Sequence, residues 1–184
     1  MKARRLRAFT LIELLIVIGI ISILAIIALP NFLEAQVRSK VSRARADLRT
    51  ISTGVEMYAT DNNRYAPSEN DYAVPNRFTT PVSYLSSLQA DPFRQNETDV
   101  RLKRYSYHNV KEKVDNNEAG WPPNDLVRYG DWRLYSWGPE QQYLAYIPYD
   151  ATNGTVSSGN VLRTQRSPEG KILFTYWDPN NPEI

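Results

Sequence analysis

The chain has 184 residues, of which 42% are hydrophobic and 23% charged, a length that suits one small domain with an appended segment. It contains no cysteine, which excludes disulfides and thiolate chemistry. Four of its 22 basic side chains precede Phe9, and the remaining 18 are outnumbered by 20 acidic side chains. The basic excess is therefore confined to the N-terminus, and the overall charge does not support a nucleic-acid-binding protein.

An apolar run of 21 residues, Phe9 to Leu29, follows the basic N-terminus, and Glu13 is its one charged residue. As a helix rising 1.5 Å per residue it would span roughly 31 Å, close to the ~30 Å hydrocarbon core of a bilayer. A secretory signal peptide would have a shorter apolar run with a small-residue cleavage site after it. A membrane anchor fits the length, and the basic residues before the run predict a cytoplasmic N-terminus. A plain anchor does not explain Glu13, because a carboxylate within a membrane costs about 2.5–3.5 kcal/mol and calls for a partner.

The residues Arg7-Ala8-Phe9-Thr10-Leu11-Ile12-Glu13 resemble the prepilin-type signal of type IV pilins and type II secretion pseudopilins. The resemblance implies cleavage by a prepilin peptidase between Ala8 and Phe9 and N-methylation of Phe9, although the family usually has Gly where this chain has Ala8. It also implies that the charge of Glu13 is met by the new amine of a neighbouring subunit, a strong attraction at low dielectric. The alternative is that Glu13 only favours the positive end of its own helix, worth about 0.3–1 kcal/mol.

The segment after Leu29 is expected to continue as an amphipathic helix to about Thr60. Gly19, Ser22 and Pro30 weaken the preceding stretch, which suggests a flexible point between Gly19 and Pro30. Apolar residues then recur at alternating spacings of four and three, the pattern of one helix face: Val37, Val41, Ala44, Leu48, Ile51, Val55 and Tyr58. We expect this stripe to pack on the chain's own globular domain, with a coiled-coil dimer as the alternative.

Charged residues between the stripe positions suit a solvated helix face: Arg38, Lys40, Arg43, Arg45, Asp47, Arg49 and Glu56. Contact of the basic run with lipid headgroups or DNA is the alternative. Asp61-Asn62-Asn63 is a turn signal and Pro67 prevents continuation of the helix. Residues 57–67 resemble the helix exit of major pseudopilins, where a Tyr-x-x-Asp-Asn turn leads into a Tyr-Pro stretch.

The rest of the chain predicts a small antiparallel sheet laid against the stripe. A short helix is expected at Pro81 to Leu88, opened by proline at its first position, and a loop at Asp115 to Pro123. Turns are expected at Gly138-Pro139 and Asn153-Gly154. The strand candidates are Arg104 to His108, Arg133 to Trp137, Gln142 to Ile147 and Lys171 to Trp177.

These elements amount to an α+β, pilin-like fold: a long N-terminal helix, transmembrane in its first half and amphipathic in its second, packed on a small antiparallel sheet. The expected divisions are a leader at 1–8, a transmembrane or filament-core helix at 9–29 and a periplasmic globular domain at 30–184.

Two further pieces resemble major pseudopilins. Residues 79–93 look like the loop-helix module that follows the long helix, and Leu134 to Pro139 is similar to a Tyr-Ser-x-Gly strand end. In those proteins the next loop binds calcium. Here Glu140 stands where Asp is expected, and Asp150 and Asn153 are the other weak candidates. Calcium usually takes six to eight oxygens with several carboxylates, so no metal site is predicted firmly and no cofactor is expected.

Catalytic residues are not predicted, because the sequence lacks a nucleophile–base pattern, a phosphate-binding glycine loop and zinc-ligand spacing. The single histidine, His108, is expected to be a packed or edge side chain. The 12 Tyr and 4 Trp are expected to fill the core and loops, with a carbohydrate or ligand surface as the alternative.

The resemblance implies a structural protein and not an enzyme: a subunit of a type II secretion pseudopilus that supports protein export across the outer membrane. Its implied partners are copies of itself, minor pseudopilins, prepilin peptidase, and an inner-membrane platform with its ATPase, with no nucleic acid. Its implied location is the inner membrane, with the C-terminal domain in the periplasm. One alternative is a type IV pilus subunit for adhesion, motility or DNA uptake, although many such pilins carry a C-terminal disulfide. The other is an anchored periplasmic binding module that does not polymerise.

Overall fold

The computed structural model describes residues 9–69, 72–141, 148–150 and 159–168. The chain divides into two compact units, residues 1–36 and 37–184. One helix, α1 (Leu11–Asn62, 52 residues), contributes to both. It ends two residues after the predicted Thr60.

The first unit consists, in its described part, of the beginning of α1. Its large apolar side chains from Phe9 to Leu33 are exposed to between 45% and 80%. Pro30 lies inside α1, and the helix continues beyond it. The flexible point between Gly19 and Pro30 concerns the assembled filament and stays a prediction.

In the second unit, the predicted stripe of α1 is buried. Its members Val41, Ala44, Leu48, Ile51, Val55 and Tyr58 are all in the main hydrophobic core, and Val37 packs against it partly buried. The helix therefore packs on the chain's own globular domain, as the four-three spacing predicted.

The sheet has three antiparallel strands in the order β1-β2-β3. They are β1 (Ser106–Asn109), β2 (Trp132–Ser136) and β3 (Val161–Thr164). Tyr107 pairs with Leu134, and Leu134 with Arg163. The strand predictions at Arg104 to His108 and Arg133 to Trp137 are confirmed within one or two residues. The candidates at Gln142 to Ile147 and Lys171 to Trp177, and the Asn153-Gly154 turn, lie outside the described residues.

Both faces of this sheet are covered. Tyr107 and Leu134 lie in the main core with α1, whereas Tyr135 and Leu162 lie in a second cluster on the alternate strand positions. The second cluster also contains residues of two short helices, α2 (Val110–Asp115) and α3 (Asn124–Tyr129). The loop expected at Asp115 to Pro123 joins them, and it is confirmed.

The helix predicted at Pro81 to Leu88 is wrong, because this stretch has no helical backbone. The backbone N–H of Leu85 donates to the carbonyl of Phe78 at 2.8 Å, and the hydroxyl of Ser83 donates to the carbonyl of Leu85 at 2.9 Å. These bonds hold a loop whose buried anchor is Leu85. A single 3-10 turn, Asn76–Phe78, precedes it.

Two carboxylates that were predicted to lie on the solvated face of α1 form hydrogen bonds with buried side chains of the globular domain. The carboxylate of Asp47 accepts a hydrogen bond from the hydroxyl of buried Tyr105 at 2.8 Å. The carboxylate of Glu56 accepts one from the indole N–H of buried Trp132 at 2.7 Å. The sequence pattern missed these links because charged residues flanking an apolar stripe usually point to solvent.

Candidate functional site

Glu13 lies in the first turn of α1 and closes a capping box with Thr10. The backbone N–H and the hydroxyl of Thr10 both donate to Oε2 of Glu13, at 2.9 and 2.7 Å. In return the backbone N–H of Glu13 donates to Oγ1 of Thr10 at 3.3 Å. The carbonyl of Thr10 accepts the first intrahelical bond, from Leu14, at 3.3 Å. Thr10 is thus the N-cap residue and Glu13 the third helical residue, the reciprocal arrangement that satisfies free N–H groups at a helix start.

Thr10 is the functional residue that the sequence reasoning missed. The signal was available, since Thr-x-x-Glu before an apolar run is the pattern of a capping box. The structure therefore gives Glu13 a role within its own subunit, in addition to the intersubunit role implied by the family resemblance. The two roles are compatible, because Thr10 engages Oε2 and a carboxylate has two oxygens with about four acceptor positions.

The predicted processing residues lie immediately before this turn. Ala8 is outside the described residues. Phe9 is described, precedes the helix and is 76% exposed. It stands four residues before Glu13, so the proposed new amine and the carboxylate belong to the same end of the helix.

The helix surface that follows Glu13 is predominantly apolar. Within α1 an 18-residue window has a mean hydropathy of 3.0 and no buried residue, and the helix is long and apolar enough to cross a membrane. An apolar surface of this size on a soluble monomer would be far beyond the few hundred Å² that such proteins expose. It therefore requires lipid or other protein chains around it.

The two family-like pieces of the globular domain meet at Asp91. Its Oδ1 accepts from the backbone N–H of Phe93 at 2.9 Å and from the hydroxyl of Ser136 at 2.7 Å, and its Oδ2 accepts from the backbone N–H of Trp137 at 3.0 Å. Burial raises the pKa of Asp91 despite these donors. The carboxylate fixes the Asp91-Pro92-Phe93 loop to the end of β2, where the predicted turn at Gly138 begins.

The calcium candidates that the structure describes, Glu140 and Asp150, form no assembled site with other described residues. Glu140 and Asp150 are exposed, and Asn153 is outside the described residues. Within the described ranges no three His, Cys, Asp or Glu side chains lie close enough to hold a metal ion. The donors that can be located do not match a calcium ion's need for several carboxylates.

The aromatic residues belong mainly to the interior, as predicted. Six described tyrosines and one described tryptophan are buried: Tyr58, Tyr105, Tyr107, Tyr129, Tyr135, Tyr149 and Trp132. His108 is a packed side chain on the edge strand β1, 2% exposed, which confirms its prediction.

Comparison with known proteins places these features in context. A family model described as the prokaryotic N-terminal methylation motif matches residues 3–29. The type II secretion system core protein G of Dickeya chrysanthemi is 31% identical over 140 residues, which cover 71% of this chain and 89% of that protein. The protein of the same name from Aeromonas hydrophila is 36% identical over 102 residues, covering 50% and 71%.

A pilus protein is also similar over a shorter stretch. The type IV major pilin protein PilA of Myxococcus xanthus is 46% identical over 67 residues, which cover 36% of this chain and 30% of PilA. No solved structure matches the chain significantly.

Proposed function

The chain belongs to the type II secretion system core protein G family, and on this premise we propose that it is a structural subunit of a secretion pseudopilus. The observation that carries the proposal is the start of α1: an exposed apolar run from Phe9 to Leu29 whose one carboxylate, Glu13, is held at the N-terminal turn. Such a helix can span the membrane before assembly and then pack among identical helices in a filament core. The relatives are named as secretion and pilus components, and we propose that this chain likewise acts by assembly and not by catalysis.

Processing comes first in this scheme. The prepilin peptidase cuts between Ala8 and Phe9 on the cytoplasmic side of the membrane, removes the basic leader and methylates the amine of Phe9. Support comes from the methylation motif matched at residues 3–29 and from four basic side chains before Phe9. After cleavage the side chains carry a net charge of −2, which is unsuited to nucleic acid.

Assembly then uses Glu13. The amine of Phe9 in one subunit meets the carboxylate of Glu13 in its neighbour, and Thr10 holds that carboxylate in place through Oε2. At low dielectric the pair sets the axial register between subunits, because an unpaired charge there is costly. An inner-membrane platform and its ATPase drive addition of subunits, and minor pseudopilins are further partners in the periplasmic filament.

Mass spectrometry tests the processing step. The intact mass of the mature protein from its native host should equal the chain without Met1–Ala8 plus one methyl group. An uncut N-terminus would overturn the proposal.

Substitution of Glu13 by Gln tests the assembly step. We expect incorporation into filaments to fall more than about tenfold, because removing one partner of a buried ion pair costs about 3–5 kcal/mol. Glu34→Gln, which removes a carboxylate outside the apolar run, is the matched control and should assemble normally. Incorporation of Glu13→Gln at the wild-type level would show that this contact does not drive polymerisation, as expected of an anchored binding module.

The similarity to PilA keeps a type IV pilus subunit as the second candidate. The two systems differ in where the filament lies and in their accessory genes. A periplasmic filament encoded beside an outer-membrane secretin and minor pseudopilins indicates secretion, whereas surface filaments encoded beside a retraction ATPase indicate a pilus.

We also propose that the globular domain folds without a required calcium ion. Support comes from its two hydrophobic clusters and from the poor match of the candidate donors to calcium chemistry. Adding calcium to metal-free protein should leave its melting temperature unchanged. A rise that saturates with calcium and disappears in a Glu140→Gln or Asp150→Asn variant would reveal a site.

A further inference from the structure

The second face of the sheet is covered by residues 110–129, a segment made of α2, the connecting loop and α3, which we call the cover. Its apolar attachment is a small cluster in which Val110, Tyr129, Tyr135 and Leu162 are buried. This cluster is separate from the main core that joins α1 to the other face. From the cover only Val110 and Tyr129 are buried in the small cluster, while Val114, Trp121 and Leu126 pack against it partly buried. With so small an apolar attachment, the polar interior has a large influence on whether the cover stays closed.

His108 lies at the centre of that interior. Its ring centroid is 4.6 Å from that of Tyr72, 4.9 Å from that of Trp121 and 5.4 Å from that of Tyr135. Its Nε2 lies 3.2 Å from the Tyr135 hydroxyl. Its Nδ1 is buried and has no hydrogen-bond partner among the described residues. A neutral imidazole suits this arrangement, because its Nδ1 can then be unprotonated and has no N–H that needs an acceptor.

The charged groups around His108 are predominantly cationic. Nζ of Lys113 on α2 lies 5.1 Å from the Tyr72 ring centroid and 5.5 Å from that of Trp121. Cζ of Arg133 on β2 lies 4.3 Å from the Trp121 ring centroid. Both cations are buried, so the three side chains share one aromatic enclosure.

Counter-charges on the cover are already engaged. In the loop, Glu118 pairs with Lys113 at 2.6 Å. In α3, buried Asp125 pairs with Arg128 at 3.4 Å and also interacts with Arg133. In α2, Glu112 accepts from the backbone N–H of Ser68 at 2.9 Å, and Asp115 pairs with Lys111 at 3.0 Å. Each described carboxylate of the cover therefore has a partner other than His108.

Protonation of His108 would consequently oppose the closed arrangement. It would place a third cation in the enclosure and give Nδ1 a proton without an acceptor, a costly state for a buried group. In agreement, burial lowers the pKa of His108 well below its ordinary value of 6.5, and the positive charges of Arg133 and Lys113 lower it further. A histidine with a lowered folded-state pKa stabilises the fold at high pH, and that stabilisation is lost as pH falls below the unfolded-state pKa.

We propose that His108 is an acid-sensitive latch whose protonation releases the cover from the sheet while α1 and the main core stay in place. The release is local because the ring contacts and the hydrogen bond described for His108 are with Tyr72, Trp121 and Tyr135, none of which lies on α1. Its consequence is exposure of Tyr135 and Leu162, an apolar sheet face, under acid conditions.

Hydrogen exchange on the full-length chain in detergent micelles tests this latch. After correction for intrinsic rates, exchange of amides in 110–129 should rise about tenfold for each pH unit below about 6.5, until the folded-state pKa is reached. Amides of 41–58 should keep their protection. A cover that exchanges equally at pH 7.5 and 5.0 would overturn the proposal.

His108→Phe is the matched variant, because it keeps a flat ring between its neighbours and removes the titrating proton. Its cover should stay protected at pH 5.0, and a cover that opens in acid in this variant too would assign the effect to another group. Since His108 is the only histidine, its NMR signals give a second measurement that needs no variant. Titration near pH 6.5 in the intact fold would also overturn the latch.

Discussion

Gly54 shows how one residue on α1 fixes a distant loop. A Cβ at this position would lie 2.7 Å from Cδ2 and 2.8 Å from Cγ of Leu85. Leu85 is almost completely buried, so its side chain has little room to withdraw. Glycine is thus required here by the close approach of a side chain and not by an unusual backbone angle.

Replacement of Gly54 by Val should lower the free energy of unfolding by about 1–3 kcal/mol, the usual cost of forcing extra atoms into a packed core. Chemical denaturation of the detergent-solubilised chain, followed by near-UV circular dichroism, would measure it. Thr53→Val places the same side chain one residue away on the exposed side of α1 and should change stability by less than about 0.5 kcal/mol. Equal losses in both variants would mean that the contact with Leu85 is unimportant.

The sequence could reveal Phe9 and Glu13 but not Gly54. The first two belong to a short contiguous motif whose chemistry is readable in seven residues. Gly54 owes its role to Leu85, 31 positions away, in a stretch that the proline at 81 made look helical. His108 is intermediate: its burial was predicted, but its cationic neighbours come from α2 and β2.

The second half of α1 is held on the sheet by its stripe and by polar bonds beside it. Asp47 accepts from Tyr105, Ser52 accepts from Nε of Arg163 at 2.8 Å, and Glu56 accepts from Trp132. Burial and the bond to Asp47 raise the pKa of the Tyr105 hydroxyl, which therefore remains a donor. Apolar packing permits small rotations of a helix, whereas these bonds have directional geometry and fix its orientation.

Asp47→Ala should lower the free energy of unfolding by about 1–3 kcal/mol, because it leaves the buried Tyr105 hydroxyl without its acceptor. Tyr105→Phe removes the hydroxyl itself, so that no buried donor is left without an acceptor, and should cost less. In that background the further change Asp47→Ala should have little effect, which a double-mutant cycle measures. Arg45→Ala, on the exposed side, is the control, and additive losses in the cycle would contradict the link.

Element prediction succeeded where a repeat was long. The stripe of α1 repeats over 22 residues, enough to establish a helical period. Helices α2 and α3 have six residues each, too few for one, and neither was predicted. Strand β3 was also missed, because it has only four residues and lacks a simple apolar-polar alternation: all of Val161–Thr164 is buried or half-buried, whichever sheet face a residue lies on.

At the scale of the whole molecule, the two units differ in whether their apolar side chains are exposed or buried. The first has no core in its described part and exposes its apolar side chains, whereas the second encloses two clusters around a sheet. The uneven distribution of apolar residues along the sequence predicted this contrast. The covering of the sheet's second face was not predictable in the same way, because it depends on tertiary packing of very short elements.

The capping box has a consequence for proteolysis. Because Thr10 ends the helix on its N-terminal side, Phe9 lies outside the hydrogen-bonded turns. A protease must draw its substrate's backbone into its own cleft, which a helical segment resists until it unwinds. Thr10 and Glu13 thus keep Phe9, the residue after the proposed scissile bond, outside the helix, so that the peptidase can bind it without unwinding the first helical turn.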